Sequence, residues 1–171
     1  MKMPDKVLTY RIYNDGKELI GTASVQMPSI EYLTETAKGA GIMGEVDSPA
    51  IGQVGSLTLA LNFKTVEKGA INLLKPKAHA LELRAAQQVF DSSIGSYKMQ
   101  PVKIVTRAIP KKVDLGKLEV AAMTDSALEL EVTYLKIYID GDRILEIDKF
   151  NYVFFINGTN YGDEIQKALG L

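Results

Sequence analysis

Between Ala127 and Ile156 the alternation of apolar and polar residues changes phase, and few folds accommodate a strand that does so. Leu128, Leu130, Val132 and Tyr134 share one face of an extended chain, after which the apolar side passes to Leu135, Ile137 and Ile139. On the return run Leu145 and Ile147 alternate with Glu146 and Asp148, and then Phe150, Tyr152, Phe154 and Ile156 take the opposite parity. A three-residue turn at Asp140, Gly141 and Asp142 pairs Tyr134 with Asp148 and Leu135 with Ile147, so the two switches face each other. The expected long hairpin, about 127–156, thus changes its buried face as a unit. From Ala127 to Asp140 it reaches roughly 45 Å at ~3.3 Å per residue. A compact chain of 171 residues has a diameter of only about 40 Å. Two accounts fit. In one, another chain covers the overhang and Leu135, Ile137, Ile139, Leu145 and Ile147 form a hairpin interface, which when repeated head to tail gives rings or filaments. In the other, a β-bulge switches the face and burial is ordinary and local.

The rest of the chain reads as antiparallel β. Asn14-Asp15-Gly16, Asp140-Gly141-Asp142 and Asn157-Gly158 separate alternating runs, and glycine supplies the positive φ of tight hairpin turns. Two short helices are expected. One is capped by Thr65, carries Val66, Ala70, Ile71, Leu73 and Leu74, and stops at Pro76. The other, about 160–169, is capped by Asn160, has Asp163 and Glu164 in its first turn and precedes Gly170, and its Tyr161, Ile165 and Leu169 form a stripe for docking. The expected fold class is mainly β, an antiparallel sandwich or barrel-like subunit with long hairpins and one or two short flanking helices, in one domain spanning 1–171.

Residues 37–53 fit neither period. This stretch holds Gly39, Gly41, Gly44, Gly52 and Pro49, yet keeps Ile42, Met43, Val46 and Ile51, so it reads as an extended arm that packs on something. Its Gly39 to Gly44 match the dinucleotide pattern GxGxxG literally. That pattern needs a helix N-terminus to follow, and Glu45 to Pro49 oppose one.

Composition removes several chemistries. The chain has no cysteine, one histidine, and 20 Lys plus Arg against 21 Asp plus Glu. Thiolate catalysis, disulfides and cysteine-ligated zinc are excluded, a histidine metal site is implausible, and no basic surplus exists for gripping phosphate. No nucleophile motif accompanies His79, which reads as a strand histidine at a surface or interface. Glu129 with Glu131, and Glu146 with Asp148, are same-face carboxylates two apart, more simply a solvated or interface face than a glycosidase pair. Lys75-Pro76-Lys77 and Lys111-Lys112 are too sparse for a nucleic-acid patch. Neither a secretory signal nor a bilayer-spanning run stands out, so a soluble product made in the cytoplasm, without membrane anchoring, is expected. No cofactor and no enzymatic activity are expected.

Several blocks together resemble the major tail tube proteins of contractile-tailed bacteriophages and phage-tail-like bacteriocins. They are Met3-Pro4-Asp5-Lys6, Tyr13-Asn14-Asp15-Gly16 with Leu19 and Gly21, Lys38 to Gly41 through Gly44 and Val46-Asp47-Ser48-Pro49, then Asp140-Gly141, Glu146 to Asn151, Asn157-Gly158 and the ending Ala168 to Leu171. They run in order along nearly the whole chain, with the weakest match at about 78–124. Asn160 stands where the family would carry an acid. The resemblance implies a structural subunit assembled with itself as hexameric rings, stacked into a hollow tube inside a contractile sheath and grown from a baseplate or tube initiator. The tube would conduct DNA in a phage, without sequence-specific binding, or ions in a bacteriocin, as part of a virion tail or tailocin particle assembled in host cytoplasm. The arm residues Gly39, Gly41, Ile42, Met43, Gly44, Val46, Pro49 and Ile51 would reach an adjacent subunit. Glu129 and Glu131 are candidates for the lumen, where like charge repels passing nucleic acid. The inner tube of a type VI secretion apparatus, which resembles tail tubes but conducts proteins, and a monomeric β-barrel binding a small ligand are the rival expectations.

Overall fold

The computed structural model describes residues 1–19 and 21–171; Ile20, inside the expected run from Leu19 to Val25, lies outside the described residues. Twelve strands and two short helices follow in order: β1 (Lys2–Asn14), β2 (Lys17–Glu18), β3 (Thr22–Gln26), β4 (Tyr32–Lys38), β5 (Glu45–Val54), β6 (Thr58–Phe63), α1 (Lys68–Asn72), β7 (His79–Asp91), β8 (Ser96–Asp114), β9 (Ser126–Ile139), β10 (Asp142–Asp148), β11 (Val153–Ile156), β12 (Thr159–Asn160) and α2 (Asp163–Leu169). Ten strands form one antiparallel sheet in the order β12-β11-β10-β9-β8-β7-β1-β2, with β6 on β9 and β3 on β6; β4 and β5 pair only with each other. The mainly β expectation is met.

Three turns fall where glycine and its polar neighbour demand them. Asp15-Gly16, Asp140-Gly141 and Asn157-Gly158 are two-residue loops with both φ values positive, the pattern of hairpin turns whose twist matches the strands. The tip at Asp140 is therefore one residue shorter than expected. A bulge between Arg143 and Leu145 restores the expected register, with Leu135 opposite Ile147 and Tyr134 opposite Asp148.

The phase switch is a bulge. Along β9 the buried apolar residues are Leu128, Leu130 and Val132, then Leu135. On β8, Arg107 pairs with Tyr134 and Ala108 with Val132, which leaves Thr133 as the extra residue that flips the parity. The same point divides the other edge: β6 pairs with β9 up to Glu131, and β10 takes over from Tyr134. Both halves then feed one core, in which Leu128, Leu130 and Val132 meet Leu59, Leu61, Leu135, Ile147 and Phe154.

The return run does not continue to Ile156 as one strand. The Asp148 carboxylate accepts from the backbone N–H groups of Phe150 and Asn151 and from the Asn151 amide, a side-chain-stabilised turn that reverses the chain. β11 then folds back on β10, and Phe150 is left 75% exposed. The 127–156 hairpin of the sequence reading is thus a shorter hairpin plus a third strand, and the base half of β9 is covered by β6.

The helix caps also differ. Thr65 donates to Glu67, which is the cap residue of α1 without a side-chain cap bond. Asn160 lies in β12, where its amide oxygen accepts from the N–H groups of Phe154 and Gly162. A Cβ at Gly162 would run into the Tyr152 carbonyl oxygen, so the chain passes Tyr152 and enters α2 only through a glycine. Of the expected docking stripe only Ile165 is half-buried; Tyr161 and Leu169 are exposed.

Candidate functional site

The candidate contact surfaces of a subunit are those its own chain leaves uncovered, and the arm is one of them. β4 and β5 form a separate two-stranded sheet around the loop 39–44, with Thr36 bonded to Asp47 across it at 3.0 Å. Gly39, Gly41 and Gly44 take positive φ in that loop, and no helix follows. Every residue from Lys38 to Ile51 is exposed, Met43 completely and Ile51 to 70%. Gly39, Gly41, Ile42, Met43, Gly44, Val46, Pro49 and Ile51 are therefore brought together on one projection. An isolated two-stranded hairpin is marginal in water. At its base an apolar groove of about 290 Å³ opens between Tyr32, Ile51, Phe154 and Tyr161.

The hairpin residues are placed differently. Leu135 and Ile147 are at most 2% exposed, and Ile137 and Leu145 pack against the same core. Only Ile139 of the expected set stays outside that cluster, half-buried near the tip. Once the Thr133 bulge has turned the tip inward, Leu135 and Ile147 are satisfied within the subunit, while Ile137, Ile139 and Leu145 stay half-buried.

Glu129 and Glu131 point away from the core, on the outer sheet face. Glu131 accepts from Ser56 and lies 3.4 Å from Lys111 and 3.9 Å from Lys149. Partial burial works against its charge, yet the Ser56 hydroxyl and Lys111, with Lys149 beyond, hold the carboxyl below its ordinary value. Glu129 has no ion-pair or hydrogen-bonding side-chain partner among the described residues. Further along the same face charges and rings interleave. Glu82 contacts Arg84 and Lys103, Arg107 stacks on Tyr134, and Lys136 lies over Tyr138. Burial, with Glu146 accepting its hydroxyl hydrogen, pushes the Tyr134 phenol up to about 12. An open groove of about 860 Å³ runs over Ala86 between Tyr13, Arg84, Met99 and Tyr138.

His79 is 2% exposed at the start of β7, its Nε2 2.9 Å from the Lys75 carbonyl, so the histidine expected at a surface or interface is buried within the subunit, tying β7 to the turn after α1. Among the described residues no group of three or more His, Asp or Glu is placed to hold a metal, and no helix is long and apolar enough to cross a membrane.

Sequence reasoning missed two surfaces. From Lys2 to Arg11 the second edge of β1 meets no described strand. Beyond the β9–β10 tip, β1, β7 and β8 project as a three-stranded blade exposing Met3, Val7, Ile94, Tyr97 and Met99. The signal was present in the apolar residues beside Pro4 and around Gly95, which strand alternation alone does not assign to a surface. The blade turn is pinned by Asp91, whose carboxylate accepts from the Ser93 hydroxyl and N–H and meets Lys98 at 3.2 Å.

These carboxylates fix the acid limit of the fold. The Ser93 hydroxyl and Lys98 lower the Asp91 value, Arg84 and Lys103 lower that of Glu82, and Glu131 is lowered as described. A group depressed in the folded state stabilises above its unfolded value, about 4, and that contribution is lost as pH falls through the folded value. Thermal midpoints recorded from pH 6 to pH 3 are expected to fall below pH 4.5, and to fall less steeply for Asp91→Asn. Parallel curves would remove Asp91 from this role.

Residues 4–170 match the family described as phage tail tube protein FII. Over 173 aligned residues the chain is 28% identical to the major tail tube protein of Serratia phage KSP20, covering 100% of this chain and 99% of that one. It is 27% identical to the tail tube protein of Escherichia phage P2, with both chains fully covered. In fold it is similar to a chain of the sheath/tube terminator of an extracellular contractile injection system, PVC, in its extended state, with a TM-score of 0.53 at 12% identity over 79% of this chain and 96% of that one. A chain of the PVC sheath-tube complex gives 0.50 at 11% identity, over 75% and 87%. With the match running from Pro4 to Gly170 and the fold in agreement, the chain belongs to the phage tail tube protein FII family and is a structural tail tube subunit.

Proposed function

We propose that copies of this chain join side by side as hexameric rings, which stack into the hollow inner tube of a contractile tail and conduct DNA, or ions in a bacteriocin-like particle. The observation that carries this reading is the arm: residues 33–51 hold most of β4, the loop and most of β5, and all of them but Ala37 are exposed. The open edge of β1 supports it, because an unpaired strand edge is a template for another chain. The relatives' names support a tube, and the likeness in fold to chains of a sheath-tube complex and of a sheath/tube terminator supports a sheath outside it. The role is mechanical, a rigid conduit in place of chemistry, in a virion tail or tail-like particle. Near-zero net charge suits a channel that must not hold its cargo. Of the two acids expected in the lumen, Glu129 is the better placed to repel nucleic acid, since Glu131 is already neutralised by lysines.

Negative-stain microscopy of the concentrated protein, with and without initiator proteins, tests the reading. Hollow tubes of uniform width are expected. A chain that stays monomeric under both conditions overturns it.

A further inference from the structure

Two unpartnered surfaces of this chain are opposite in charge and alike in greasiness. On the arm and its base, Glu31, Glu35, Glu45 and Asp47 face only one cation, Lys38, and none of these acids has an ion-pair partner among the described residues. The arm tip offers Ile42 and Met43, 42% and 106% exposed. At the far end of β6, Lys64, Lys68, Lys75 and Lys77 are exposed around α1, again without acidic partners among the described residues. On the same end Val66, Ile71, Val113 and Leu115 expose an apolar patch, next to the loop that exposes Leu118 and Val120.

We propose that the acidic arm of one copy lies on this lysine-bearing end of a second copy, with Ile42 and Met43 against the exposed apolar patch beside α1. Charge complementarity selects the occupant: isolated acids meet isolated lysines, and a like-charged partner would be repelled. Geometry sends the contact to another chain. β6 separates the arm's base from α1 by six residues, roughly 20 Å of strand, and β4 and β5 pair with no other strand of their own subunit. A surface at one end of a subunit that fits a different surface at the other end is heterologous and propagates. The inference rests on the tube reading and deepens it by naming both halves of one joint.

The chain has no native cysteine, so single cysteines report cleanly. Met43→Cys chains are mixed in equal amounts with Val120→Cys chains, assembled with initiator and oxidised; a cross-linked dimer approaching about half of the tube protein, the limit for random mixing, is expected. The same experiment with Met99→Cys, at the rim of the groove over Ala86, is expected to give none. In parallel, Glu45→Lys with Asp47→Lys, and separately Lys68→Glu with Lys75→Glu, are expected to cut tube growth at least tenfold while leaving the circular dichroism unchanged. Combining the two sets is expected to recover growth. Cross-linking to Met99→Cys in preference to Val120→Cys, or a combined variant no better than either parent, overturns the joint while leaving the tubes. A wild-type chain that forms no tubes with initiator overturns the tube reading and the joint together.

Discussion

Replacing residues 35–48 by a two-residue Asn-Gly turn is expected to yield a chain that folds normally and no longer forms tubes. Thr34 and Pro49 are cross-strand partners, so a tight turn can close between them. The monomer should lose less than about 1 kcal/mol, because the removed residues bury almost nothing within their own subunit and shortening a loop costs little. Assembly should lose far more. Ile42, Met43 and Val46 are each worth ~1.5–3 kcal/mol when fully buried. Even with half of that realised, an arm contributes on the order of 2–4.5 kcal/mol to a joint, so its loss weakens each contact by roughly thirtyfold to two thousandfold. Every subunit carries one arm, so the loss recurs along the tube. Sedimentation and negative stain read the assembly, and thermal unfolding reads the monomer. Tubes growing at the wild-type rate from the shortened chain would remove the arm from the joint.

That residues 37–53 stand apart from the core was legible, because apolar side chains persist there among glycines without any period that would bury them. Its form as a hairpin was not. Thr34, Glu35, Thr36 and Ala37 alternate too weakly to announce a strand, and Pro49 argues against one, although proline is tolerated on a strand with a free edge. The three Gly turns were legible because positive φ at two successive positions admits so few residues. Parity was legible too: the residues on either side of the switch and their cross-strand partners follow directly from alternation. What alternation could not decide was whether the second face is sealed by the same chain. That depends on β6, which reaches β9 from 63 to 73 residues earlier in sequence by the Phe63 to Ser126 and Thr58 to Glu131 pairs, and non-local pairing leaves no local mark. The Asp148 turn was missed for a related reason. Phe150 and Tyr152 continue an aromatic alternation, while a single carboxylate with Asn151 three residues on is enough to end the strand.

Deleting Thr133 is expected to be the most damaging single-residue change in the chain, although its side chain does little. Its hydroxyl makes one long bond, 3.4 Å, to the Arg107 carbonyl, so Thr133→Ala should cost under about 1 kcal/mol. Its backbone is the extra residue that lets Val132 and Leu135 face the same core. Without it β9 alternates strictly, and either Leu128, Leu130 and Val132 or the tip residues Leu135 and Ile147 turn to solvent. Exposing three side chains that are now at most 2% exposed costs roughly 5–9 kcal/mol. A domain has only ~5–15 kcal/mol in total. The deletion also draws Glu131 and Tyr134 together, which forces the end of β6 against the end of β10 where β9 now passes from one partner to the other. Insoluble or unfolded protein is therefore expected from the deletion, and native circular dichroism with a nearly unchanged thermal midpoint from Thr133→Ala. A soluble deletion variant melting within a few degrees of wild type would mean that the face switch is carried elsewhere, and the hairpin tip would again be free to serve as an interface.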